Sequence, residues 1–257
     1  MNISSPAMLS PRLLALLAAL LLSATARAET ATIAVAANFT APAREIVAAF
    51  AATSGHTVEV STGSSGAFYA QIVKGAPFDA FLSADAERPA RLAAEGHGAP
   101  ASVFTYAVGR LGLWSADPAR VGGDGPAALK APFRHLAIAN PAVAPYGAAA
   151  RAALEKLGLW SAVEGRIVMG QDIGQTFQMA ATGNAELGLV ALSQTMSEQG
   201  RRGSVWPVPA DLHAPISQDA ILLARGAGNA AARDFLAFLK APAAVEIVRR
   251  YGYDVAR

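Results

Sequence analysis

The chain is 257 residues long, 53% hydrophobic and 16% charged, and contains no cysteine. That composition is enough for a sizeable core, and it excludes disulfides, thiolate metal sites and cysteine nucleophiles. The formal charge of +2 gives no argument for nucleic acid, because the basic pairs Arg201-Arg202 and Arg249-Arg250 stand alone and read as solvated faces or helix ends.

Arg12 precedes the apolar run Leu13–Leu22, which is followed by Ser23-Ala24-Thr25-Ala26-Arg27-Ala28. A short basic region, an apolar core and an A-x-A site predict a secretory leader, residues 1–28, cut after Ala28. The run is short for a membrane span; a retained anchor is the alternative. Cleavage removes Arg12 and Arg27 and no acid, leaving 19 basic residues against 19 acidic ones. Such a chain suits the bacterial periplasm.

Thr32–Ala37 reads as a short buried strand, followed by a helix from about Ala41 to Thr53 with Ile46, Val47 and Phe50 on one face. Asn38 or Thr40 is its natural N-cap and Gly55 its stop. Val58–Val60 is the next strand, leading into the loop Thr62-Gly63-Ser64-Ser65-Gly66 and an amphipathic run to Lys74. The chain turns at Pro77 into the strand Phe78–Leu82, and a short helix follows over Ala86–Glu95. Phe104–Trp114 reads as one long apolar strand and Leu136–Ala139 as another, with a helix from Ala148 to Leu157. Ile167–Met169 and Leu187–Leu192 are strands around a helix reaching Ala181, and Ile216–Ala224 is the last. Asn229–Lys240 and Ala243–Tyr251 close the chain as helices split at Pro242. This alternation predicts βαβ units on mostly parallel sheets, in one large domain or two moderate ones. Phe104–Trp114 and Pro207–Pro215 read as two crossings of a hinge.

Four strand ends share one pattern. Asn38 follows the first strand, Ser64-Ser65 the second, Pro145-Tyr146-Gly147 the strand Leu136–Ala139, and Asp172-Ile173-Gly174 the strand Ile167–Met169. Each runs into a helix, whose N-terminus offers free N–H groups and a positive dipole end. In open α/β sheets, ligands sit beyond the carboxyl ends of the strands. Together the four ends would surround a small oxyanion with neutral donors, since none carries Lys or Arg. Taken singly, Asn38 and Ser65 read as plain caps, Tyr146 as a loop aromatic, and Asp172 as a cap facing away from the ligand. The glycine loop fails the GxxxxGK[ST] phosphate pattern, because Lys74 comes too late.

The segments Ala36-Ala37-Asn38-Phe39, GSSGAFYAQIVKGAPFDAFLSAD, NPAVAPYG, QDIGQ, LGLVAL and FLKAPAAVEIVRRYGY resemble the periplasmic molybdate-binding proteins of ABC transporters and their tungstate-binding relatives. The resemblance runs from Thr32 to Tyr253, and Asn38 places the chain with the asparagine-bearing subgroup. It implies a two-lobed α/β binding protein of type II, with a two-strand hinge and lobes spanning 29–108 plus 212–257 and 109–211. It implies a molybdate or tungstate ligand, a membrane permease as partner, and no cofactor. Carried over by position, the anion ligands are Asn38, Ser65, Tyr146 and Ile173, the last two through backbone N–H groups. Some members add a tyrosine hydroxyl at the position of Ala191; the hydroxyl of Tyr146 is the candidate replacement.

Sulfate or a small organic acid are alternative ligands, although a carboxylate usually calls for an arginine clamp. A secreted serine hydrolase is the alternative from another class. Gly63-Ser64-Ser65-Gly66-Ala67 misses G-x-S-x-G, and His56, His97, His135 and His213 fall outside the four loops, reading as surface or helix-end residues. No spacing suggests a bare metal cation site. The chain is read as a monomer and not as an enzyme.

Overall fold

A computed structural model describes residues 28–255. The expected leader lies outside the described residues, apart from Ala28. Ten strands form two five-stranded sheets.

The first sheet has the order β2-β1-β3-β10-β4, with β1 at Thr30–Ala36, β2 at Thr57–Gly63, β3 at Ala80–Leu82, β4 at Phe104–Gly109 and β10 at Ile216–Leu222. The second has the order β7-β6-β8-β5-β9, with β5 at Leu111–Ser115, β6 at Leu136–Ala139, β7 at Ile167–Gly170, β8 at Leu187–Ala191 and β9 at Ser204–Pro207. β1 pairs in parallel with β2 and β3, and β6 with β7 and β8. β10 is antiparallel to both its neighbours, as is β5 to its own. Four strands in each sheet therefore share one direction and the fifth is reversed, so the sheets are mixed.

The reversed strands are those that carry the chain between the sheets. Phe104–Trp114, expected as one strand, is β4 in the first sheet and β5 in the second, divided at Arg110. The break falls at the one charged residue of the run, the exposed Arg110, with apolar strand residues on either side. The chain returns between Pro207 and Ile216. β9 ends at a proline on a sheet edge, where its missing N–H costs nothing.

Among the described residues, nine α-helices flank the sheets: α1 (Thr40–Ser54), α2 (Ser65–Val73), α3 (Glu87–Ala94), α4 (Gly125–Lys130), α5 (Pro145–Lys156), α6 (Trp160–Val163), α7 (Ile173–Ala181), α8 (Ala230–Phe238) and α9 (Pro242–Arg250). α1, α8 and α9 cover one face of the first sheet through Ile46, Phe50, Phe235 and Val248. Phe68 and Ile72 of α2 and Leu92 of α3 cover the other face, against Phe81 and Ile221. Burying each such side chain stabilises the fold by about 1.5–3 kcal/mol. α5 starts at Pro145 rather than Ala148, because proline at the first helical position gives up an N–H that would have no partner anyway.

Two expected roles change. Neither Asn38 nor Thr40 caps α1: its cap residue, Phe39, makes no side-chain bond, and Thr40 Oγ1 instead donates to the Ala37 carbonyl. His56 is buried, not at the surface; its Nδ1 accepts from Glu29 N–H at 3.1 Å and its Nε2 lies 3.4 Å from Asp234. The largest core cluster spans both sheets, joining Ala36 and Ala84 of the first to Leu111, Tyr146 and Ile173 of the second, so the two halves are closed on each other.

Candidate oxyanion site

The carboxyl ends of β1, β2, β6 and β7 meet at the junction of the sheets, and each leads into a helical turn. The extended backbone of Ser64 lets its Oγ accept from Ala67 N–H at 3.2 Å, which caps α2. That leaves Ser65 free of the capping role. Ser65 Oγ accepts from Ala84 N–H at 2.9 Å, is 1% exposed, and has no acceptor for its own proton among the described residues. It is a buried, anchored hydroxyl with a proton to give.

Tyr146 and Ile173 occupy the first turns of α5 and α7, where backbone N–H groups have no partner within the helix. Asp172 caps α7, its Oδ1 accepting from Gln175 N–H at 2.9 Å, so its charge is held by the helix.

Asn38, Ser65, Tyr146 and Ile173 line one small cavity together with Ala37, Ala84 and Gly63, and Asp172, expected to face away from it, lies in its lining as well. No Lys, Arg or His contributes to its lining. Its volume is about 10 Å³. Larger grooves of about 690 and 920 Å³ border it, sharing Asn38 on one side and Ala144 on the other. The convergent donors belong to the small cavity, and it is the chemically meaningful one.

Behind Asn38 lies a buried polar network that the sequence reading did not find. Asn38 Nδ2 donates to Gln218 Oε1 at 2.8 Å and to the Tyr253 hydroxyl at 3.0 Å. The Tyr253 hydroxyl donates to the Asn38 carbonyl at 2.8 Å and lies 2.9 Å from Ser193 Oγ. Gln218 Nε2 donates to the Tyr146 hydroxyl at 3.2 Å, and the Tyr106 hydroxyl, whose proton lies on the Ser83 carbonyl at 2.9 Å, is 3.1 Å from Gln218 Oε1. The one visible signal was a glutamine inside the apolar strand Ile216–Leu222, where it is fully buried. Burial raises the phenols of Tyr106 and Tyr146 well above the usual value and pushes Tyr253 up to about 12. All three stay protonated and serve as neutral hydrogen-bond groups. Asn38 Oδ1 is left without any partner, although Asn38 is only 3% exposed. An unpaired buried acceptor costs about 1–3 kcal/mol.

Among the described residues, no cluster of three or more His, Asp or Glu could hold a metal ion. Both serines of the glycine loop already have backbone partners, and no histidine reaches the cavity. The arrangement can hold an anion by dipoles and neutral donors.

Residues 31–254 match the family of bacterial extracellular solute-binding proteins. The molybdate-binding protein ModA of Rhodobacter capsulatus is 56% identical over 220 residues, covering 86% of each chain. ModA of Azotobacter vinelandii is 49% identical over 245 residues, covering 95% of this chain and 97% of its own. The solved Azotobacter vinelandii periplasmic molybdate-binding protein superposes with a TM-score of 0.85 at 40% identity, covering 88% of this chain and all of that one. A sulfate-binding protein of Mycobacterium tuberculosis shares the fold at 15% identity, with a TM-score of 0.73, covering 89% of this chain and 87% of that one. This chain belongs to the bacterial extracellular solute-binding proteins, in the family of the ModA proteins.

Proposed function

We propose that the chain binds molybdate or tungstate as a dianion held between its two halves, and delivers it to the membrane permease of an ABC importer. The observation that carries this reading is the convergence of three helix N-termini and the free proton of Ser65 on one small cavity without a cationic side chain. Asn38 and Ser65 act through their side chains, Tyr146 and Ile173 through backbone N–H groups. Hydrogen bonds from preformed neutral donors to a dianion are charge-assisted and strong. Sulfate, the smaller tetrahedron, leaves some of these donors unpaired, each at about 1–3 kcal/mol.

The protein acts in the periplasm after removal of residues 1–28, as a monomer. It catalyses no reaction, binds no nucleic acid and holds no bare metal cation. Its lobes are 29–108 plus 212–257 and 109–211. They open at the passages through Arg110 and between Pro207 and Ile216, and the anion stabilises the closed form because that form binds it better.

The test is isothermal titration of residues 29–257 with molybdate, tungstate and sulfate in turn. Tight binding of the first two and none of sulfate is the expected result. Tight sulfate binding would reassign the ligand, and silence with all three would leave the four turns as ordinary helix starts.

A further inference from the structure

Two carboxamides in the buried network have linked orientations. As the structure stands, Asn38 gives Nδ2 to Gln218 Oε1, and Gln218 gives Nε2 to the Tyr146 hydroxyl. Every polar atom of the pair then has a partner except Asn38 Oδ1, and Asn38 lines the anion cavity. An acceptor there is the wrong group for an oxyanion, since it repels the charge and has no proton to offer. The oxygen and nitrogen of a carboxamide have nearly the same shape, so hydrogen-bond partners decide which way each one faces.

Turning both amides by half a rotation repairs the network. Gln218 Nε2 then donates to Asn38 Oδ1 and to the Tyr106 oxygen, while Tyr106 keeps its own proton on the Ser83 carbonyl at 2.9 Å. Ser193 keeps its bond to the Asn38 carbonyl, and Tyr253, which loses Asn38 Nδ2 as a donor at 3.0 Å, turns its one proton from that carbonyl to Asn38 Oδ1. Gln218 Oε1 faces the Tyr146 oxygen and accepts from that hydroxyl. Asn38 Nδ2 takes the place of the orphaned oxygen, with an N–H that lacks an acceptor until an anion arrives.

We propose that Gln218 is a positioning residue that decides which side chain donates to the anion. In the loaded site both carboxamides are turned, Asn38 Nδ2 donates to the oxyanion, and the Tyr146 hydroxyl is held by Gln218. The two donors exclude each other, because Gln218 has one oxygen and can present it to Asn38 or to Tyr146 but not to both. The inference rests on the oxyanion reading above and assigns the atoms that serve it.

Titration of the wild type with molybdate comes first, and failure there removes the oxyanion reading itself. Given wild-type binding, Tyr146→Phe is expected to weaken affinity only a few-fold. Gln218→Met, similar in shape but unable to orient either neighbour, is expected to weaken it by about tenfold or more. A purely structural role for Gln218 is separated by the side-chain NH₂ resonances of Asn38, assigned by their loss in Asn38→Asp. These are expected to move downfield when molybdate is added to wild type and to Tyr146→Phe, and to stay in place in Gln218→Met. A loss of tenfold or more in Tyr146→Phe, wild-type affinity in Gln218→Met, or unmoved Asn38 resonances in the wild type would each overturn the assignment while leaving molybdate binding intact.

Discussion

The backbone N–H of Gly66 donates to the carbonyl of Val143 at 2.9 Å, tying the first turn of α2 beside the first sheet to the loop ahead of α5 beside the second. A Cβ at Gly66 would lie 2.8 Å from the Val143 oxygen and 2.9 Å from its Cα. Glycine at this position is what lets the two halves approach so closely.

Gly66→Ala should therefore oppose closure without disturbing either half. Crowding of this kind costs about 1–3 kcal/mol, and the cost falls only on the closed state. Molybdate affinity is expected to drop roughly 5–150-fold with the thermal midpoint of the free protein little changed. Titration paired with thermal unfolding checks this, and unchanged affinity would show that the contact does not control closure.

Ser65→Ala removes two interactions at once. Ala84 N–H loses its acceptor, which should lower stability by about 1–3 kcal/mol, and the anion loses a hydroxyl donor, which should weaken binding by about tenfold or more. Ser64→Ala removes only the cap of α2 and should cost about 1 kcal/mol of stability with a smaller effect on affinity. A reversed ranking of affinities would move the donor role from Ser65 to Ser64.

Ligand linkage provides a readout that needs no mutation. An anion that binds only the folded protein stabilises it by about 2.7 kcal/mol at a hundred times its dissociation constant. Thermal midpoints should therefore rise steadily with added molybdate and stay flat with sulfate. A rise of equal size with both salts would point to a general anion effect instead of a site.

Glu186 links stability to acid. Arg134 Nε donates to its Oε1 at 2.8 Å and His135 N–H to its Oε2 at 2.9 Å, and these bonds, led by the Arg134 guanidinium, hold its carboxyl down at about 2. A group depressed on folding stabilises the protein above its unfolded value and loses that contribution as pH falls through the folded one. Glu186→Gln should be less stable than wild type at neutral pH, and the two should converge between about pH 4.5 and pH 2. Parallel stability curves across that range would show that the carboxylate contributes nothing.

The four strand ends of the candidate site could be read from the chain because their parts are local. Each sits where an apolar strand gives way to a helix start, and capping and dipole rules act over a few residues, but the choice of Asn38, Ser65, Tyr146 and Ile173 within them came from the family resemblance. The side chain of Asn38 does not cap a helix but joins partners 180 and 215 residues away. Gln218 and Tyr253 carry no local pattern, since one is a polar residue in an apolar strand and the other lies near the chain end. Only the folded topology brings them beneath the cavity. The break at Arg110 was not read from the chain. β4 and β5 are apolar strands separated by a single residue, and the exposed Arg110 between them was the one local mark of the point where the chain changes sheets.

The insertion of β10 between β3 and β4 also sets the order in which the molecule can be completed. β5 to β9 form one contiguous stretch, so the second sheet can close while the tail of the chain is still being made. The first sheet cannot, because β3 and β4 have no contact as neighbours until residues 216–222 are placed between them. A nascent chain halted at residue 215 would hold one finished sheet and one with a strand-wide gap, whose two open edges are templates for pairing with other chains. The segment that completes the first sheet also delivers Gln218, so the network behind Asn38 is assembled only when that sheet is finished.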